Sequence, residues 1–95
     1  MLFMLSLNFT DQGIRNVKDS PDRSEAFRAM AENLGVTVKA TYWTVGAYDG
    51  VVIVEGPDEV VTSALLKIGS LGNVRSQTLR AFSADEMKRI ITKMP

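Results

Sequence analysis

From Leu2 to Phe9 the chain is almost unbroken apolar sequence, interrupted only by Ser6 and Asn8. Eight residues are too few to cross a bilayer as a helix. No Lys or Arg precedes them and no small-residue cleavage site follows, so a secretory or membrane segment is not expected. A short apolar run of this kind reads as a strand covered on both faces. Whatever fold forms must therefore bring cover to two sides of this strand.

The following segments supply part of that cover. Thr10 offers an N-cap oxygen to a short helix, with Ile14 and Val17 expected on its inward side. Ser20-Pro21-Asp22 is expected to open a second helix, Ser capping and Pro at the first helical position. Ala26, Phe27, Met30, Ala31 and Leu34 recur on one face of it, and Gly35 is a left-handed stop. Val36–Val45 reads as a strand, Gly46–Gly50 as a hairpin loop with an Asp49-Gly50 turn, and Val51–Glu55 as the returning strand. After Gly56-Pro57-Asp58, the residues Val60, Val61, Ala64, Leu65 and Ile68 line a third helix that Gly72 terminates. Val74–Phe82 is a fourth strand. Ser83-Ala84-Asp85-Glu86 is a capping box opening a last helix with Met87, Ile90, Ile91 and Met94 as its stripe. These stripes, and the methionines in general, are expected to be core.

Strand, helix, strand, strand, helix, strand is the order of the α+β ferredoxin-like fold, with the first and third strands central and an extra C-terminal helix. Residues 1–95 read as a single domain. Two helices cover only one face of a four-stranded sheet. Alternation in Val36–Val45 is also blurred, with Val36, Val38, Ala40 and Tyr42 on one side but Trp43 and Val45 on the other. Either a bulge intervenes or both faces are covered. A chain of 95 residues has no spare layer beyond its tail helix, so a second copy packed sheet to sheet, as a homodimer or an assembly of dimers, is the economical cover.

Composition narrows the chemistry. With 45% hydrophobic residues the chain is too apolar for disorder. Eleven basic residues balance eleven acidic ones, so no positive excess exists to track nucleic acid or an anionic membrane. There is no Cys and no His, which removes thiolate nucleophiles, the commonest general base and the usual transition-metal and haem ligands. No cofactor or metal site is expected, and the expected compartment is the cytoplasm.

A small set of residues carries what polar chemistry remains. Tyr48 beside Asp49 could orient a substrate or move a proton, while Asp before Gly equally reads as a turn former bonding its own loop. With the turn at Asp49-Gly50, Tyr48 would pair with Val51 and Thr44 with Glu55, placing Tyr42, Thr44, Tyr48 and Glu55 on one face. A desolvated Glu55 there could serve as a general acid or base; paired with Lys39 or Arg80, or exposed, it would not. Arg75 and Arg80 point to opposite faces of the last strand, and either could hold a ligand carboxylate or simply guard an edge. Trp43 could stack on a flat ligand or anchor core or interface.

Gly46-Ala47-Tyr48-Asp49, the apolar strand ending at Glu55 and the following Pro57-Asp58 resemble the GYD domain family. Thr10–Gly13, Ser20–Arg23, Gly72–Arg75 and Thr78–Phe82 extend the resemblance along nearly the whole chain, with Gly56 and Trp43 as departures from its usual residues. The resemblance implies a dimeric α+β barrel of ferredoxin-like protomers and transfers no catalytic residues. Architectural relatives include cofactor-independent monooxygenases, isomerases, haem enzymes and ligand-sensing domains, among which fold alone does not choose. The expectation is a self-associating module that binds a small molecule or a partner, with Tyr42, Tyr48, Asp49, Glu55 and Arg80 as candidate ligand contacts. The alternatives are a cofactor-independent isomerase or monooxygenase using Tyr48 and Glu55, and a purely structural subunit.

Overall fold

A computed structural model describes every residue from Met1 to Pro95. The elements run β1 (Leu2–Phe9), α1 (Asp11–Arg15), a 3-10 turn (Val17–Asp19), α2 (Ser20–Asn33), β2 (Thr37–Trp43), β3 (Gly50–Glu55), α3 (Asp58–Ser70), β4 (Val74–Ala81) and α4 (Ala84–Thr92). The strands form one antiparallel sheet in the order β2-β3-β1-β4. This is the expected ferredoxin-like topology, with the two most apolar strands at its centre.

Side-chain alternation sorts the sheet into two unlike faces. Phe3, Leu5 and Leu7 of β1 share one face with Val52 and Val54 of β3, and α2 and α3 pack there. Leu5, Val36 and Val54 are fully enclosed; Ala31 of α2 and Val61 and Ala64 of α3 close the core above them. Leu2, Met4, Ser6 and Asn8 lie on the other face, which no helix covers.

Local signals set the boundaries. Thr10 accepts from the Gly13 N–H, capping α1. Gly35 and Gly72 take φ of 93° and 85°, the left-handed backbone that stops α2 and α3 at little steric cost. Ser83 and Glu86 form both bonds of the capping box at α4.

Several expectations need correction. Ile14 and Val17 are 53% and 39% exposed, because α1 is a single short turn that buries Gly13 instead. Ser20 is the first residue of α2 rather than its cap; its hydroxyl accepts from the Trp43 indole N–H at 3.1 Å. Ala26 and Leu34 are exposed, so α2 meets the sheet along the narrower line of Phe27 and Ala31. The stripe of α4 is no core either: Met87, Ile90, Ile91 and Met94 all remain open to solvent. Met4 is exposed as well, because it projects from the uncovered sheet face.

The blurred alternation of β2 has a bulge as its cause. Val38 pairs with Val54 but Ala40 pairs with Ile53, so Lys39 is one residue too many. Beyond the bulge Trp43 returns to the helix-covered face and Tyr42 turns to the open one. The strand ends at Trp43, and Val45 is wholly exposed in the loop.

Candidate functional site

The hairpin between β2 and β3 differs from the two-residue turn expected. Trp43 pairs with Gly50, leaving Thr44–Asp49 as the loop and Gly50 as the first strand residue. The Asp49 side chain consequently does not bond its own loop, although its backbone carbonyl accepts from the Thr44 N–H at 2.9 Å. Its N–H donates to the Leu7 carbonyl and its carboxylate accepts from the Phe9 N–H, both at 2.8 Å. The loop is fastened from the other side by Asn8, whose amide donates to the Ala47 carbonyl at 2.8 Å. The Thr44 hydroxyl donates to the Tyr48 carbonyl at 2.6 Å. β1 thus holds the loop that carries Tyr48.

These bonds create a cross-strand row on the open face: Tyr42, Val51, Ser6 and Gln77, one from each strand. The Tyr48 hydroxyl stands 3.4 Å from the Gln77 side-chain oxygen, to which it donates. Ser6 is 7% exposed and its hydroxyl has no hydrogen-bond partner. Tyr42 is 62% exposed. The next row toward the β1 N-terminus is apolar, with Ala40, Ile53, Met4 and Leu79, and the row after it joins Leu2 and Ala81 to Glu55 and Thr37.

Glu55 belongs elsewhere. It pairs with Thr37 and Leu2 at the far end of β3, where Lys39 stands 3.5 Å away. Both side chains are half exposed. The expected pairing of Thr44 with Glu55 is therefore absent, and Tyr48 and Glu55 occupy opposite ends of the strand. The six-residue loop and the bulge at Lys39 shifted the register.

Arg80 faces the helix side, opposite Phe3, while Arg75 pairs with Asn8 on the open side. The Arg80 guanidinium lies 4.3 Å from the Phe82 ring centroid and 5.6 Å from that of Phe3. It donates to the Leu2 carbonyl at 3.1 Å and to the Ala81 carbonyl, and meets Glu86 at 3.8 Å. These contacts pin the start of α4 to the sheet edge. The Ser83 N–H, donating to its carboxylate, holds Glu86 below the ordinary glutamate range, with the Ser83 hydroxyl and the charges of Arg80 and Arg89 adding to this and partial desolvation opposing it.

The five candidates thus fall into two groups. Tyr42, Tyr48 and Asp49 gather at one end of β3, joined by Ser6, Asn8 and Gln77, which sequence reading passed over. Only the strand register reveals those three. Glu55 and Arg80 sit toward the other end, on opposite faces.

The GYD domain profile matches residues 3–91. A curated relative from Thermus thermophilus, named glutamine synthetase and cystathionine beta-lyase binding protein, is 32% identical over 87 residues, spanning 90% of this chain and 92% of its own length. No helix is long and apolar enough to cross a membrane.

Proposed function

This chain belongs to the GYD domain family, and from that premise we propose that it works as a self-associating, protein-binding module. Two copies pack open face to open face into an α+β barrel, and the assembled surface engages a protein partner. One observation carries this reading: the face without helices presents Met4 at 36%, Leu79 at 54% and Tyr42 at 62% exposure, with Leu2, Val51 and Ile53 between them. An antiparallel sheet that met water across all of this side would be polar throughout, as it is at Asn8 and Arg75 and at Glu55 on either side of these residues. A contiguous apolar patch instead favours a protein contact, and a symmetric partner supplies a matching one. Sheets packed face to face lie about 10 Å apart, a separation that side chains of this size fill.

Glutamine synthetase and cystathionine beta-lyase are the first partners to test, since the Thermus relative is named for binding both. The test is calorimetric titration of the purified chain into each enzyme from its own organism. Saturable binding to either supports the proposal. Binding to neither, by a chain shown to be folded and assembled, removes the partner half of it and leaves self-association standing.

A further inference from the structure

We infer that the gap between α2 and the helix-covered side of the sheet is a binding site for a small, uncharged single-ring molecule carrying one hydroxyl, of the phenol class. It is separate from the open face and independent of the function proposed above. The gap has a volume of about 90 Å³ and walls of Leu7, Phe9, Phe27, Val52, Leu65 and Ile68. Folded interiors leave few voids larger than a water. Leu7, Phe27 and Leu65 pack against the core yet stay only partly buried. A cavity of roughly 150 Å³ with such a lining stays dry and takes up benzene. This one is smaller but open at one side, so a ring can seat its apolar edge inward and leave its substituent at the mouth.

The mouth sets the class of that substituent. Trp43 forms one side, its indole half exposed and fixed by its bond to the Ser20 hydroxyl. That hydroxyl accepts from the indole and keeps its own proton to donate. Asp49 contributes a carboxylate with one oxygen engaged by the Phe9 N–H and the other free of a protein donor. Arg23 is also at the rim, where two of its five N–H donors are engaged by the carbonyls of Asn16 at 2.8 Å and Gly13 at 3.4 Å. The free acceptor therefore suits a hydroxyl proton, and a ligand carboxylate placed at that same oxygen would meet the charge of Asp49. Gly50 adds no side chain to the lining; a Cβ there would come within 3.3 Å of the Tyr42 carbonyl oxygen and 3.7 Å of the Leu7 Cδ1.

Titration of the whole chain with phenol, benzene and benzoate, followed by amide and indole NMR shifts, tests this. Phenol is expected to saturate, moving the Trp43 indole N–H and the amides of Asp49, Gly50 and Phe27, with benzoate at least about tenfold weaker. Ser24 lines the gap and makes no side-chain hydrogen bond, so Ser24→Met fills the space without breaking one. This variant is expected to weaken phenol about tenfold, within the ordinary range for lost pocket contacts; Ile68→Phe takes its place if it does not fold. Phenol shifts that do not saturate, that fall on Tyr42, Tyr48 and Gln77 instead, or that persist undiminished in the filled variant overturn the assignment. Benzoate binding as tightly as phenol overturns the class of ligand.

Discussion

The carboxylate of Asp49 accepts a hydrogen bond from the backbone N–H of Phe9 at 2.8 Å, across forty residues of sequence. With the Asp49 N–H bonded to the Leu7 carbonyl, this pair continues the β1–β3 ladder one step beyond Gly50. A side chain thereby does what a backbone carbonyl does elsewhere in the sheet. Asp49→Ala leaves the Phe9 donor unpaired in a part-buried place and is expected to lower stability by about 1–3 kcal/mol. Asp49→Asn keeps an acceptor oxygen and should recover part of the loss. Urea unfolding at unchanged m-value measures both. A full recovery by Asn and none by Ala would point to the hydrogen bond alone rather than the charge.

Two glycine substitutions should diverge in sign. A Cβ on Gly13 would overlap the backbone carbonyl oxygen of Asn73, which the Thr10 N–H holds in place at 3.1 Å. Gly13→Ala must push α1 away from the β4 entrance and is expected to cost about 1–3 kcal/mol. A Cβ on Gly69, near the end of α3, meets nothing within 4 Å. Gly69→Ala is expected to stabilise by about 0.5 kcal/mol, through the entropy of the unfolded chain. Thermal unfolding of the two variants side by side checks the contrast.

The start of α4 should respond to acid. Glu86 is held below its ordinary pKa near 4.5 chiefly by the Ser83 N–H. A depressed carboxyl contributes stability that is whole above the ordinary value and is lost as pH falls through the lower folded value. Amide protection in Ala84–Thr92, relative to intrinsic exchange at each pH, should therefore fall below pH 4.5, and Glu86→Gln should flatten that dependence. Ser83→Ala removes the hydroxyl half of the reciprocal cap and is expected to cost about 1 kcal/mol at neutral pH.

Most of the fold was legible because its signals are local. The apolar run of β1, the glycines at 35 and 72 and the capping box at Ser83 each act within a few residues, and each sits where the sequence placed it. The site was less legible because it depends on register. One extra residue at Lys39 and a loop of Thr44–Asp49 in place of a two-residue turn moved Glu55 from the tyrosines to Lys39. A shift of this kind carries no composition signal. The bond from Trp43 to Ser20 is equally hidden, since Ser20 also reads as a helix cap. The exposed stripe of α4 was misplaced for a different reason: an amphipathic period reports that a face seeks cover, not that the same chain supplies it.

Self-association through the open face is the central claim, and native mass spectrometry of the untreated protein beside Leu79→Asp tests it most directly. Leu79 is 54% exposed in the apolar row with Met4 and Ile53, so a carboxylate there spares the core but not a packed sheet face. An even-numbered assembly is predicted for the unaltered chain, with Leu79→Asp reduced to a folded monomer. A monomeric unaltered chain, or an assembly that Leu79→Asp leaves intact, would contradict it.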